Sequence, residues 1–267
     1  MERSILRKNS WKPTLENQIR GIRGGFAFLT RIPVGHDEAD WDAFVSTSAA
    51  FPVVGWVVGI GAAMPLLAAG TLPEPTVALA YVFAVYLLTG IHHLDGVSDL
   101  GDALAVPGDT ARRREVLKDA TTGVGALFAL VFVIVGLALG AFGLAAVPVA
   151  IAVGIVVAAE VGAKLTMVTI ACFGSPGHEG LGSQVMNALG PRSIIGPIVL
   201  SLPVVLLTWP HPAAAAALFG AILAGTVPWL WARGALGGAT GDVIGAANEI
   251  GRVVGLHAGV IAWTVWG

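Results

Sequence analysis

Charged residues are scarce in this chain of 267 residues, which has 15 Lys or Arg and 17 Asp or Glu and is 55% hydrophobic. Only 12% of its residues are charged, whereas a soluble domain carries about 25%. So few charges cannot solvate the surface of a water-soluble protein, which excludes that class. The formal net charge of −2 excludes a general attraction to nucleic acid, and the apolar composition excludes a disordered chain.

Cysteine is also scarce, since Cys172 is the only one in the sequence. It permits no internal disulfide, and no Cys and His spacing is typical of a zinc site. A secretory signal peptide is not expected either. The first 31 residues contain seven basic residues and no continuous apolar core before a small-residue cleavage site.

Four long stretches lack Asp, Glu, Lys and Arg altogether. They are residues 43–73, 75–94, 120–159 and 193–232, with lengths of 31, 20, 40 and 40 residues. A membrane-spanning helix needs about 20 apolar residues. The first two stretches therefore predict one helix each, and the last two predict a helix pair each, with turns near Gly143–Pro148 and Trp209–Pro212. Together these make six crossings, and a seventh over 253–267 would be short, since that segment has only 15 residues.

The basic residues predict the orientation of these crossings. They concentrate before residue 32 and in 112–118, whereas the connections 70–76, 143–148 and 208–213 have none. Under the positive-inside rule the N-terminus and the connections 95–121, 173–193 and 233–252 are cytoplasmic. We therefore expect a single integral membrane domain over 1–267 in the cell membrane, with all-α, multi-pass architecture and its polar chemistry on the cytoplasmic side.

Residues 1–31 predict an N-terminal interfacial helix. Its apolar residues recur at spacings of three and four, which places them on one helical face, with Arg20 and Arg23 turned away. These apolar residues are Trp11, Leu15, Ile19, Ile22, Phe26 and Leu29. The alternative is an ordinary helix packed on the rest of the protein.

The densest acidic cluster follows His92 and His93. Asp95, Asp99 and Asp102 stand at i, i+4 and i+7, so three carboxylates share one helical face. Because like charges in such a row repel, a cation is expected between them. Oxygen ligands favour Mg²⁺ or Mn²⁺ shared with a phosphate. The alternative is that the acids only face water at the end of a helix. For the two histidines the alternatives are metal binding, proton transfer, or a structural role through hydrogen bonds.

Further polar residues follow in the predicted cytoplasmic connections. Arg112, Arg113, Arg114 and Lys118 bring four cations opposite the acidic face, either to hold a diphosphate or only to set topology. In the last connection, Asp242 and Glu249 share a helical face beside glycines that serve either ligand approach or helix packing.

Two other sets of charged or titratable residues lie outside these clusters. The middle connection carries His178 and Glu179, which alone say little. Glu160 and Lys164 have i,i+4 spacing near the end of the fourth crossing, and are either functional or a structural ion pair.

An ordered series of short motifs runs along the chain. The motifs are Phe28-Leu29-Thr30-Arg31-Ile32-Pro33, Phe51-Pro52-Val53-Val54-Gly55, His93-Leu94-Asp95-Gly96 with Asp99 and Asp102, Lys118-Asp119 with Gly123, Glu179-Gly180-Leu181-Gly182, and Thr240-Gly241-Asp242 with Gly245-Ala246-Ala247 and Glu249. This series resembles the cobalamin synthase, or adenosylcobinamide-GDP ribazoletransferase, family, and the resemblance covers about residues 24–256. Departures are Ala103 in place of a repeated Asp-Gly pair, Lys164 in place of an arginine, and His178 in place of a basic residue.

The resemblance implies a Mg²⁺-dependent enzyme that uses α-ribazole, or its phosphate, to displace GMP from adenosylcobinamide-GDP. It implies that Asp95, Asp99 and Asp102 are metal ligands. Proton acceptance by Asp102 or Glu249 would complete the chemistry. Candidate substrate-binding residues are His93, Arg114, Lys118, Asp119, Glu179 and Asp242. The interpretation leaves room for a homo-oligomer.

Two rival functions are weighed against this one. A CDP-alcohol-type phosphotransferase also uses an Asp-rich membrane helix, but its Asp-Gly…Ala-Arg…Gly…Asp…Asp spacing is not reproduced. An ion-coupled transporter would carry acids near the middle of the bilayer, whereas here the acids gather at predicted cytoplasmic helix ends and only Glu160 lies deeper.

Overall fold

The computed structural model describes residues 15–35, 37–119 and 121–267. These residues form twelve α-helices and no β-strand. The helices are α1 Leu15–Leu29, α2 Glu38–Val45, α3 Ala50–Ala62, α4 Glu74–Thr89, α5 His92–Ala105, α6 Thr110–Val116, α7 Val124–Ala145, α8 Val149–Phe173, α9 Leu181–Ala188, α10 Ile195–Ser201, α11 Ala213–Ala235 and α12 Gly241–Trp266. Short 3₁₀ segments extend three of the connections, at Met64–Ala68, Pro191–Ile194 and Leu202–Thr208.

The multi-pass, all-α membrane architecture is confirmed. Five segments are long and apolar enough to span a membrane: Ala50–Ala68, Val124–Ala145, Val149–Phe173, Pro191–Thr208 and Ala213–Ala235. The pair α4 and α5 makes a sixth if counted as one broken span, with a bend of 99° between the two helices. The bend turns α5 away from the direction of α4, so that α5 lies at the end of the bundle. Both predicted turns, between α7 and α8 and before α11, are where the sequence analysis placed them.

Helices α8 and α12 form the centre of the bundle. Most of α8 is buried, and α12 packs against α5, α7, α8 and α11. Glycines allow the close approach: a Cβ added at Gly55 of α3 would lie 2.9 Å from Cα of Val161 in α8. Because membrane helices gain stability from close packing of small residues, this arrangement follows from the glycine-rich composition. Helix α12 is not among the five apolar spans, so the seventh crossing stays a prediction.

The N-terminal helix α1 packs through its glycines and through the second half of its apolar stripe, where Ile22 and Phe26 are partly buried against the core. Gly24 is buried against Asp40 of α2, and Gly21 is buried against Thr47, which follows α2. Leu15 and Ile19 are 78% and 59% exposed, which leaves an apolar surface on the outer side of α1. Leu29, at the end of the predicted face, is fully buried, and Trp11 lies outside the described residues. The interfacial position of α1 therefore stays a prediction.

Arg20 and Arg23 turn away from the exposed apolar residues and toward α2. Arg23 donates a hydrogen bond to Asp40, and Arg20 lies 3.8 Å from Asp37. Asp37 and Asp40 also form a capping box that starts α2. Burial raises the pKa of Asp40, but the hydrogen bond and charge of Arg23 outweigh it, so that the pKa lies below its ordinary value.

Candidate active site

The three connections with polar sequence meet at one end of the bundle. Ser175 and Ala239 pair through their backbones, since the amide of Ala239 donates to the carbonyl of Ser175 at 2.8 Å. Arg114 in α6 donates from Nε to the carbonyl of Leu236 at 2.9 Å. Residues far apart in the sequence therefore build a single polar surface, as the common orientation of these connections requires.

The acidic face of α5 lies against the start of α12. A Cβ added at Gly96 would lie 2.5 Å from the carbonyl oxygen of Asp242, so only glycine permits this contact. Asp242 thereby joins Asp95, Asp99 and Asp102 in one cluster. Burial raises the pKa of Asp99 to about 7, with further contributions from the negative charges of Asp242, Asp95 and Asp102. A cation among these carboxylates would relieve the repulsion.

Asp102 has a second, structural partner. Its Oδ2 accepts from the amide of Gly123 at 2.7 Å and its Oδ1 from the amide of Ala126 at 2.9 Å. A carboxylate at this point satisfies free backbone N–H groups at the start of α7 and interacts favourably with the helix dipole. Asp102 therefore anchors α7 to the acidic cluster.

The carboxylate oxygens of this cluster fit a hard divalent cation whose remaining ligands come from the substrate. Mg²⁺ commonly takes one or two carboxylates, and substrate phosphates and water supply the rest. The carboxylates of Asp95 and Asp99 have no hydrogen-bond or ion-pair partner within 15–35, 37–119 and 121–267. In the same residues no group of three His, Cys, Asp or Glu side chains is arranged to hold a metal alone. A metal held jointly by Asp95, Asp99 and a phosphate fits both observations.

A cavity of about 380 Å³ opens beside the acidic cluster. It lies between α5, α8, α9 and the start of α12. Its wall combines apolar surface with a few polar groups, as is usual for sites that bind small molecules. The aromatic and polar side chains of the wall are Phe28, Phe51, His92, His93, His178, Ser183, Thr240 and Asp242.

Asp242 brings the acidic cluster to this cavity. Thr240 caps α12 by accepting from the amide of Val243 at 3.3 Å, and its hydroxyl donates to Oδ2 of Asp242 at 3.2 Å. No described residue hydrogen-bonds to Oδ1 of Asp242. One oxygen of this carboxylate is therefore available to a ligand in the cavity.

His93 lies between the cavity and the interior of the bundle. It is 6% exposed, and its ring centroid is 4.4 Å from that of His92. Burial lowers the pKa of His93 well below its ordinary value, and the positive charge of Lys164 lowers it further. His93 is therefore held neutral, which favours hydrogen bonding over charge pairing with a phosphate.

A buried network of charges lies behind His93. Arg252 forms two ion pairs. Its Nε and Nη2 bind Glu160 of α8, and its Nη1 lies 2.8 and 2.9 Å from the two oxygens of Glu249. Lys164 donates to Oδ1 of Asn248 at 2.6 Å and lies 3.7 Å from Glu160. All five side chains are fully buried. Two acids and two cations balance one another, as burial of charge in a membrane protein requires.

This network changes the interpretation of Glu160, Lys164 and Glu249. Glu160 and Lys164 lie near the middle of α8, not near its end, and they bind residues of α12. Glu249 is fully buried, and it also accepts from Tyr86 at 3.2 Å. Glu249 does not line the cavity, and both of its oxygens are engaged in hydrogen bonds and ion pairs, so its role as a proton acceptor stays a prediction.

The remaining predicted substrate-binding residues lie at the rim of the polar surface. Lys118, Glu179 and Arg114 are exposed, and Arg114 is tethered as described above. Asp119 accepts from the amide of Thr121 at 3.0 Å, and this hydrogen bond lowers its pKa. None of these four side chains lines the cavity.

Several cavity residues were not singled out as site residues from the sequence. Phe28 and Phe51 belong to the early motifs and supply the aromatic wall, so the motif series was a usable signal for them. His178 was noted only as titratable. Ser183 gave no sequence signal, because its contribution depends on the packing of α9 against the start of α12.

The bundle and its polar end define the chain as a multi-pass α-helical membrane protein with a cavity that one of its clustered carboxylates, Asp242, lines. The family model described as cobalamin-5-phosphate synthase matches residues 21–260. The chain therefore belongs to the cobalamin-5-phosphate synthase family, and it is a transferase of cobalamin biosynthesis.

Individual relatives agree with the family match. A protein of Halorubrum lacusprofundi named adenosylcobinamide-GDP ribazoletransferase is 50% identical over 92% of this chain and 98% of its own length. Relatives with the same name are 54% identical in Halobacterium salinarum, over 74% of this chain and 99% of the relative, and 32% identical in Methanocella arvoryzae, over 94% and 98%. No solved structure matches the chain significantly.

Proposed function

We propose that the chain joins adenosylcobinamide-GDP to α-ribazole, or to its phosphate, in a Mg²⁺-dependent reaction at the cytoplasmic face of the cell membrane. The hydroxyl oxygen of the ribazole forms a bond to the cobinamide-side phosphorus of the diphosphate. The bond from that phosphorus to the bridging oxygen breaks, and GMP leaves. The observation that carries the proposal is a cluster of four carboxylates, of which Asp242 lines the cavity, in a chain whose relatives bear the name of this transferase.

The carboxylate cluster suits phosphoryl transfer. Catalysis of this reaction depends mainly on positioning and on neutralising the charge of the phosphate oxygens. Asp95 and Asp99 would hold Mg²⁺ together with the diphosphate, and the metal would supply charge neutralisation. Asp102 keeps this face in place through its hydrogen bonds to α7.

The cavity residues take the other roles. Asp242, with its Oδ1 unoccupied, accepts the proton of the attacking hydroxyl, since Asp102 and Glu249 have both oxygens engaged. His93 contacts the substrate from the cavity wall. At the rim, Arg114 and Lys118 supply positive charge for the diphosphate.

The two rival functions gain no support from the geometry. The acids in the interior, Glu160 and Glu249, are ion-paired with Arg252 and do not line the cavity, which disfavours an ion pathway. The match to the family over residues 21–260 disfavours a CDP-alcohol phosphotransferase.

The test is GMP release by the purified full chain with adenosylcobinamide-GDP, α-ribazole and Mg²⁺. We expect release that stops with a chelator and resumes with added Mg²⁺, and we expect Asp99→Asn to abolish it. Asp42→Asn is the matched control, because Asp42 is exposed on α2. Activity that survives chelation would contradict the metal dependence, and a fully active Asp99→Asn variant would contradict the site.

A further inference from the structure

His93 joins the cavity to the buried charged network through one hydrogen bond. Its Nδ1 lies 3.2 Å from Nδ2 of Asn248. The chemical identities of the groups around Asn248 decide which partner donates in this contact. They therefore also decide where His93 carries its proton.

The orientation of the Asn248 amide is determined by its other neighbours. Lys164 lies 2.6 Å from Oδ1, and an ammonium group only donates hydrogen bonds. Oδ1 must therefore be the accepting oxygen. Nδ2 lies 3.0 Å from Oε1 of Glu249, a carboxylate oxygen that accepts. Both contacts place the NH₂ group of Asn248 toward His93.

The NH₂ group of Asn248, at 3.2 Å, is the only group within hydrogen-bond distance of Nδ1 in the described part of the chain, since Oε1 of Glu249 lies 3.8 Å away. Nδ1 of His93 therefore accepts with its lone pair. A neutral imidazole with an accepting Nδ1 carries its proton on Nε2. Protonation of Nδ1 would bring two donors face to face. Nε2 has no hydrogen-bond partner within the described part of the chain, and His93 lines the cavity.

We propose that Lys164 and Asn248 are positioning residues that hold His93 in the Nε2–H tautomer, so that His93 donates a hydrogen bond to a substrate oxygen in the cavity. His93 is then not the group that accepts a proton in the reaction. The identity of that oxygen, a phosphate oxygen of the diphosphate, rests on the proposed function. The tautomer itself does not.

The tautomer is tested by nitrogen NMR of the full chain labelled with ¹⁵N-histidine in detergent. The chain has six histidines, and the signals lost in His93→Gln belong to His93. We expect Nδ1 of His93 to give the signal of an unprotonated ring nitrogen and Nε2 that of a protonated one. The opposite pattern in the wild-type protein would overturn the proposal without any variant of Asn248.

Asn248→Asp tests the positioning role. An ionised aspartate at this place has no donor for Nδ1, and Oε1 of Glu249 lies 3.8 Å away, so we expect Nδ1 to carry a proton and its unprotonated signal to disappear. Asn187→Asp is the matched control, because Asn187 is exposed on α9, and it should leave the His93 signals unchanged. A folded Asn248→Asp protein with unchanged His93 signals would refute the role of Asn248.

The donor role is tested by two substitutions of His93. His93→Gln keeps a side-chain N–H donor but cannot accept a proton as a base, and we expect it to keep kcat/KM within about tenfold of the wild type. His93→Ala removes the donor, and we expect a loss of about 10- to 100-fold. Equal losses in both variants would refute the donor role. Because the NMR measurement needs no substrate, a protein with the expected tautomer but no GMP release would refute the proposed function alone.

Discussion

The substitution Gly96→Ala probes the contact on which the acidic cluster depends. A Cβ at this position would lie 2.5 Å from the carbonyl oxygen of Asp242 and 2.9 Å from its Cα. Ordinary contact begins at 3.4 Å, so α5 and the start of α12 must separate by about 0.9 Å. The neighbour is backbone, which cannot rotate out of the way as a side chain would.

Two effects of this separation are expected. Overpacking of a well-packed interior costs about 1–3 kcal/mol, reduced by the better helix propensity of alanine, about 0.5–1 kcal/mol. Displacement of reacting groups by about 1 Å reduces the rate by about 100-fold. We therefore expect a small loss of free energy of unfolding and a large loss of GMP release in Gly96→Ala.

The assay pairs thermal unfolding, followed by circular dichroism in detergent, with initial rates of GMP release. Gly234→Ala is the matched control, because Gly234 lies in α11 with no atom within 4 Å of an added Cβ. The control should keep full activity and equal or slightly higher stability. Wild-type rates in Gly96→Ala would show that the contact between α5 and α12 does not position the carboxylates.

Three further predictions follow from the charges. Glu249→Gln leaves a buried arginine short of one partner, so we expect a loss of about 3–5 kcal/mol in unfolding free energy, whereas Glu115→Gln, in an exposed pair, should cost about 0–1 kcal/mol. In a cysteine-free background, an impermeant maleimide should label Lys118→Cys only in inside-out vesicles and Thr71→Cys only in right-side-out vesicles, and the reverse pattern would contradict the orientation. The pKa of Asp40 is lowered in the folded protein, so the stability from this carboxylate is present above its unfolded pKa of about 3.9 and is lost as the pH falls through the lower folded pKa. The stability difference between wild type and Asp40→Asn should therefore shrink below about pH 4 in chemical unfolding, and a difference independent of pH would contradict the pairing.

The buried network also explains why the interior acids gave an ambiguous sequence signal. Glu160 and Lys164 have the spacing of a local pair, and a local pair explains both charges without any partner elsewhere. In the structure they lie 3.7 Å apart, and the shorter contacts of both residues are with α12. The second half of the network comes from residues more than 80 positions later, which no local spacing reveals.

Local sequence properties were sufficient to predict the membrane architecture. Uninterrupted apolar length predicts spanning helices because the bilayer core has a defined thickness, and proline and glycine mark the turns between them. The carboxylates of α5 were predicted on one helical face because helical periodicity depends only on neighbouring residues. The ordered motifs indicated the family, which the comparisons confirm.

Packing between distant helices decided those features of the site to which two segments of the chain contribute. Asp242 reaches the carboxylate cluster because Gly96 has no side chain to keep α12 away from α5. Asp102 is hydrogen-bonded because the start of α7 lies beside it. The pairing of Glu249 with Arg252 beside Glu160 engages a carboxylate for which local sequence spacing shows no partner in α8. The reason is physical: a side chain's chemistry depends on which atoms surround it, and in a helical bundle most of those atoms belong to other helices.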